Sequence, residues 1–228
     1  MTQRRYSVKN NADNPAQPEN AQNRERRTWL YNLTAPVSWW LVYPFFRLKI
    51  IKGKNNIPSS GGAIAAGNHI SFADPICLYY AQKRQLRYMA KAELFKNPFL
   101  RFICRSYGAF PVDRGSADSS ALETALQIIK DGKVLAIFPE GTRSKDGTIG
   151  RGKSGIALLA YQSQAPIYPF AVYAKRKPFR HYTVAFGEPV TAKDLGIVEG
   201  TAKEFRDGTR RLMEIIRQLH DECREARE

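Results

Sequence analysis

Gly61-Gly62-Ala63-Ile64-Ala65-Ala66-Gly67-Asn68-His69-Ile70-Ser71-Phe72-Ala73-Asp74-Pro75 is the stretch on which the fold turns. Its first half is a short apolar run of small residues, which reads as a buried strand. Its second half places polar residues directly after that strand, where catalytic groups of open α/β sheets commonly sit. Further strands are expected at Leu86–Met89, Tyr107–Val112, Lys133–Phe138, Ile167–Val172 and Thr183–Phe186. Ser120 with Glu123 makes a capping-box pair ahead of Leu122, Ala125, Leu126 and Ile129, which recur at helical spacing, and Gly132 stops that helix. Gly152–Gln162 reads as a second helix, and Phe205, Leu212, Ile216 and Leu219 mark one face of a C-terminal one. Strands alternating with helices predict an α/β fold, a mostly parallel mixed sheet flanked by helices, over residues 55–228.

The chain ahead of this domain has a different character. Residues 1–25 are rich in Asn, Gln, Pro and charge, and read as a disordered tail. Residues 26–54 read as a helical, membrane-associating anchor. From Thr28 to Phe46 no residue is charged, and Trp29, Tyr31, Trp39, Trp40 and Tyr43 are types that favour the lipid headgroup level. A spanning helix needs about 20 apolar residues, and Pro36 and Pro44 interrupt this one. Both flanks are basic, so an anchor lying in one leaflet fits better than a full span.

Composition narrows the partners. Thirty-six Lys and Arg against 21 Asp and Glu give a net charge of +15 over 228 residues, so anionic partners are expected: a membrane face, phosphorylated substrates or nucleic acid. No recognisable nucleic-acid signature accompanies the charge. Cys77, Cys104 and Cys223 have no metal-ligand spacing and are too few for a disulfide framework, which suggests a reducing compartment. His69, His181 and His220 are scattered, so no metal cofactor is indicated.

Four segments carry chemistry. In the first, a turn at a helix start near Ser71 can bring the Asp74 carboxylate back to the His69 imidazole. A carboxylate on one ring nitrogen fixes the tautomer and supports the charge that develops when the other nitrogen takes a proton. An imidazole in water titrates near ~6.5, which suits a base at neutral pH. Spacing alone is equally compatible with a polar residue at a strand end and a helix cap. The second segment, Phe138-Pro139-Glu140-Gly141-Thr142-Arg143-Ser144, also follows a strand. Gly141 lets backbone N–H groups approach a ligand, Thr142 offers a hydroxyl, and Arg143 a planar fork that matches phosphate. The third ends in Val112-Asp113-Arg114, another cation after a strand. The fourth, Ala165-Pro166-Ile167-Tyr168-Pro169-Phe170-Ala171-Val172, carries two prolines and suggests an irregular or edge strand.

In this order the four segments resemble the glycerolipid acyltransferase family, specifically the 1-acyl-glycerol-3-phosphate acyltransferases. The first matches N-H-x-x-x-x-D, and the long F-P-E-G-T-R-S block is complete at Phe138–Ser144. The resemblance implies acylation of lysophosphatidate to phosphatidate by acyl-CoA or acyl carrier protein, with the thioester as co-substrate and no other cofactor. It implies His69 as the base, Asp74 as its holder, and Arg143 and Arg114 as the phosphate clamp, with Gly141 and Thr142 as neutral donors. Lys91 joins that clamp. Glu140 falls to the glycerol hydroxyls or to holding Arg143 or Arg114. Glycerol-3-phosphate, a lyso-ornithine lipid or another lysophospholipid are the alternative acceptors. No covalent acyl-enzyme is needed, in keeping with the lack of a G-x-S-x-G elbow. The implied location is the cytoplasmic face of the cell membrane, monotopic or peripheral, against anionic lipids. The run Phe95–Ile103, with Lys96, Arg101 and Arg105, reads either as a second docking element or as an ordinary amphipathic helix.

Overall fold

The computed structural model describes residues 47–112, 119–144, 146–174 and 181–227. The tail at 1–25, the aromatic stretch at 28–46 and Arg114 lie outside these residues. In chain order the elements are strand β1 (Lys49–Lys52), strand β2 (Ala63–Gly67), helix α1 (Asp74–Ala81), strand β3 (Leu86–Lys91), a 3-10 turn at Ala92–Phe95 and helix α2 (Pro98–Ser106). Strand β4 (Ala109–Val112), helix α3 (Ser119–Lys130), strand β5 (Val134–Ile137), helix α4 (Gly155–Ser163), strand β6 (Ile167–Ala174), strand β7 (Tyr182–Phe186) and helix α5 (Ala202–Glu225) follow.

The strands form one sheet in the order β1-β7-β6-β2-β5-β3-β4. Every neighbouring pair is parallel except β6 with β7. The sheet is therefore mixed and mostly parallel, as expected, with β1 and β7 running against the other five. Its centre is β2, where all five residues are buried. Alternate residues of β2 serve two cores. Ala63 and Ala65 meet Cys77, Leu78 and Ala81 of α1 on one face. Ile64 and Ala66 meet α3, α4 and α5 on the other, through Ala125, Ile129, Ile156, Leu159, Leu212 and Ile216. A strand covered on both sides reads as a continuous apolar run rather than an alternating one, which is why the Ala-rich stretch could be recognised. The last residue of the strand is Gly67, where a Cβ would collide with the ring and carbonyl of Phe170 on β6.

Two expectations need correction. The proline-bearing segment does not form an edge or irregular strand: β6 lies between β2 and β7, and its first six residues are buried. Pro169 is tolerated because it breaks a single rung, at the irregular step between the end of β7 and the further antiparallel pairing of Ile167 with Val190. The Pro169 carbonyl accepts from Gly187 N at 2.8 Å, one residue past β7. The reciprocal bond, from residue 169 to the Gly187 carbonyl, cannot form, and Asn56 Nδ2 donates to that carbonyl instead at 2.9 Å. The backbone account thus closes without the proline N–H. The second correction concerns 26–54 as one helical unit. Lys49–Lys52 is β1, paired with β7 at the sheet edge. Its two adjacent isoleucines, Ile50 and Ile51, lie between Lys49 and Lys52, a pattern that a short strand can use as readily as a helix end. Among the described residues, no helix is long and apolar enough to cross a membrane.

Candidate active site

Because β2 and β5 are adjacent and parallel, in register from Ala63 with Val134 to Ala66 with Ile137, the loops that follow them emerge side by side. Hydrogen bonds to the His69 backbone then sew them together. Ser144 N donates to the His69 carbonyl at 2.8 Å, and His69 N donates to Glu140 Oε1 at 3.2 Å. On the other flank, Asn68 replaces a backbone rung. Its Nδ2 donates to the Val172 carbonyl at 2.9 Å and its Oδ1 accepts from Val172 N at 2.8 Å. Asn68 is buried, so those two contacts satisfy an amide that would otherwise be costly there. They carry the β2–β6 register past the glycine and fix where His69 leaves the sheet.

His69 Nδ1 lies 2.6 Å from Asp74 Oδ2. The same oxygen accepts from Ile70 N at 2.8 Å and from Ser71 N at 2.9 Å. Asp74 is the first residue of α1 and is fully buried, while its Oδ1 has no hydrogen-bond partner. Three donors on one oxygen hold the carboxylate in place with its charge directed at the imidazole. With Nδ1–H given to Asp74, Nε2 carries the lone pair. The His69 ring stacks on Phe138 with centroids 4.0 Å apart and planes 16° from parallel. Phe138 in turn meets the edge of Phe170 at 5.9 Å. The imidazole is thus fixed on one edge by a carboxylate and on one face by a ring that packs against the core. Ser71 is engaged elsewhere: its Oγ accepts from Tyr182 Oη at 3.0 Å and from Ala73 N at 3.2 Å. Burial, and then the charge of Asp74, push the Cys77 thiol well above its usual range, so this neighbour stays protonated and is no nucleophile.

Glu140 acts on the backbone. Its Oε1 accepts from His69 N, and its Oε2 accepts from Gly150 N at 3.0 Å. One carboxylate therefore ties the His69 loop to the far end of its own loop. Gly141 has φ +73°, a left-handed conformation that favours glycine, and Gly141 N donates to the Phe138 carbonyl at 3.0 Å to close the turn. Thr142 and Arg143 are exposed beyond it. The Arg143 guanidinium carbon sits 3.6 Å from the centroid of the Phe72 ring. Phe72 is itself 71% exposed, so it is a platform in solvent rather than a core residue. A cation held over a ring face in this way keeps guanidinium N–H groups available to an anion. Beyond Ser144 the loop is closed by Asp146. The Thr148 hydroxyl first, then Thr148 N and the Ser144 hydroxyl, hold its carboxyl at about 2. A groove of about 580 Å³ adjoins this loop, lined among others by Ile70, Ser144, Thr148, Tyr173 and Arg217.

Of the candidate residues, His69, Asp74, Glu140 and Arg143 are drawn together on the two sewn loops, with Gly141 and Thr142 in the turn between. Lys91 ends β3, separated from β2 by β5, and its Nζ is 3.6 Å from Glu93 Oε1. Arg114 is outside the described residues. Among the described residues, no group of three or more His, Cys, Asp and Glu side chains could hold a metal ion. Sequence reasoning missed the roles of Asn68, Phe72 and Phe138. Asn68 and Phe138 lay inside the quoted motifs, but nothing in a linear pattern distinguishes an amide that replaces a β-rung or a ring that supports an imidazole. Phe72 offered a faint signal, a large apolar residue in a polar loop.

The acyltransferase family model matches residues 49–173, more than half of the chain. The 1-acyl-sn-glycerol-3-phosphate acyltransferase of Bacillus subtilis is 35% identical over 123 residues, covering 53% of this chain and 60% of that protein. The protein of the same description from Borreliella burgdorferi is 32% identical over 140 residues, covering 60% of this chain and 54% of its own length. The chain thus spans little more than half the length of these relatives. The crystal structure of the 1-acyl-sn-glycerophosphate acyltransferase from Thermotoga maritima shares the fold, with a TM-score of 0.66 at 20% identity over 90% of this chain and 84% of that one. Paired loops after β2 and β5 and a family match that spans both of them place the chain in the acyltransferase family.

Proposed function

We propose that the protein transfers an acyl group from a thioester, acyl-CoA or acyl carrier protein, to the free hydroxyl of 1-acyl-glycerol-3-phosphate, giving phosphatidate at the cytoplasmic face of a membrane. The observation that carries the reading is the His69–Asp74 contact of 2.6 Å beside an exposed Arg143 that lies over the Phe72 ring. The names of the relatives support the choice of acceptor.

In this mechanism Nε2 of His69 removes the proton of the acceptor hydroxyl as its oxygen attacks the thioester carbonyl. Asp74 supports the imidazolium that results. The tetrahedral intermediate then collapses, the C–S bond breaks, and the departing thiolate takes the proton from Nε2. The donor is already activated, so no acyl-enzyme is required, in keeping with the neutral Cys77 and the occupied Ser71 hydroxyl. Arg143 grips the acceptor phosphate and so fixes the hydroxyl near His69, and positioning of this kind is a large part of rate enhancement. Glu140 holds the His69 backbone where that alignment needs it. A membrane location spares the enzyme from drawing an acyl chain into water, a step that costs on the order of 10 kcal/mol for about 16 carbons.

The purified full chain, given lysophosphatidate in vesicles with labelled acyl-CoA or acyl carrier protein thioester, should form labelled phosphatidate. Transfer to glycerol-3-phosphate or to a lyso-ornithine lipid, with none to lysophosphatidate, would overturn the assigned acceptor. Arg143→Ala should raise KM for lysophosphatidate about tenfold or more, as expected for loss of a charge-assisted contact of about 1.5–3 kcal/mol. KM for the donor should stay within about twofold. An effect confined to the donor would contradict the placement of the phosphate.

A further inference from the structure

Four large apolar side chains are left open to solvent on a single short helix. Phe99 is 70% exposed, Phe102 52%, Leu100 39% and Ile103 37%, and all belong to α2, of which only Ser106 is buried. This inverts the usual surface helix, whose apolar stripe faces the core. At about 100° per residue these four side chains share an arc of about 160°, and Arg101 and Arg105 project from the opposite side. Both arginines are exposed, and neither is paired with a carboxylate among the described residues. From Leu94 to Val112 the sequence holds Lys96, Arg101 and Arg105 and no acidic residue. The helix is built to persist: Asn97 Oδ1 accepts from Phe99 N at 2.9 Å and Leu100 N at 3.1 Å, and Pro98 occupies its first turn.

We propose that α2 is a docking helix that lies in the interface of an anionic bilayer. Phe99, Leu100, Phe102 and Ile103 enter the acyl boundary, while Lys96, Arg101 and Arg105 remain among the lipid phosphates. An apolar face with cations behind it is the pattern of an interfacial helix. Charge selects lipid over the other possible occupants. A second copy of the chain would bring the same cations to the contact, and the aromatic stretch at 28–46 is itself flanked by Arg26, Arg27, Arg47 and Lys49. An anionic leaflet complements the cations and the overall charge of +15. Position gives the docking a purpose. β3 ends at the same sheet edge as β2 and β5, and only Ala92–Asn97 separates it from α2. Seating the helix on a leaflet brings the edge that carries His69 towards the lipid. The proposal rests on the acyltransferase reading only for that purpose. The docking itself follows from the exposed face and its cations.

The test uses the full chain and vesicles of phosphatidylglycerol and phosphatidylcholine, with pure phosphatidylcholine as control. Phe99→Ser with Phe102→Ser, and separately Arg101→Glu with Arg105→Glu, should each lower the vesicle-bound fraction at least fivefold. The arginine pair should lose the preference for phosphatidylglycerol. Both variants should keep the wild-type kcat on a short-chain, water-soluble lysophosphatidate while losing activity on vesicle-held substrate. A photoreactive benzoylphenylalanine at position 102 should crosslink to phospholipid. Vesicle binding unchanged in both variants, or crosslinking to the N-terminal stretch or to a second copy, would overturn the proposal. If the wild type shows no acyl transfer yet the variants still lose vesicle binding, the docking helix stands and the enzymatic reading falls.

Discussion

His69→Ala is expected to lower kcat for acyl transfer by about 10³-fold while leaving the fold intact. The magnitude is that of a general base removed from a proton transfer, ordinarily 10²–10⁴. The fold should survive because the loop is held through the backbone. His69 N to Glu140 Oε1 and Ser144 N to the His69 carbonyl do not depend on the imidazole. Asp74 Oδ2 also keeps its two backbone donors, Ile70 N and Ser71 N. What is lost is the ring, its stacking on Phe138 at 4.0 Å, and the Nε2 lone pair. KM for lysophosphatidate should change little, because Arg143 on Phe72 remains to grip the phosphate. Steady-state kinetics with circular dichroism on the same preparations give the measurement. An alanine variant that keeps more than a tenth of wild-type kcat would remove His69 from the chemistry and the mechanism with it.

The parts of the fold that could be read from the sequence were those fixed by local periodicity or by strong composition. Ala63–Gly67 reads as a buried strand because both of its faces are covered, and α5 because Leu212, Ile216 and Leu219 recur on one side of it. Pro169 misled for a definite reason. The rule against proline in central strands assumes that the lost rung leaves a carbonyl without a donor, and here Asn56 serves the Gly187 carbonyl instead. β1 was swallowed by the anchor because a four-residue strand has too few positions for a period to emerge. The site divides in the same way. His69 and Asp74 lie five residues apart, so one turn at a helix start suffices to join them and spacing could suggest the pair. Glu140 joins His69 across 71 positions. Only the adjacency of β2 and β5 makes that bond possible, and sheet order is not written in any one segment. The same holds for Arg143 over Phe72, where two loops supply one cation–π contact.

Asp74→Ala should lower kcat about as far as loss of the histidine, and should cost stability as well. Without the carboxylate the imidazole is free to rotate and to place its proton on either nitrogen. Two half-buried backbone donors, Ile70 N and Ser71 N, also lose their acceptor, at up to about 1 kcal/mol each because water reaches them in part. A visible drop in Tm should therefore accompany the loss of rate. Asp74→Asn separates the two contributions. All three donors converge on Oδ2 alone, so an amide whose oxygen takes that place keeps every contact. Reversing the amide would point its NH₂ at two backbone N–H groups, which disfavours the flip. The amide nitrogen then occupies the position of Oδ1, which has no partner in the fold, and this adds a penalty of about 1–3 kcal/mol to folding. Orientation and tautomer survive, and only the charge opposite the developing imidazolium is lost. Asp74→Asn should accordingly retain about tenfold more kcat than Asp74→Ala. The comparison needs kcat and Tm for both variants beside His69→Ala. Equal rates for the alanine and asparagine variants would mean that holding the ring contributes nothing and that Asp74 acts by charge alone. Near-wild-type rates in both would remove Asp74 from the mechanism.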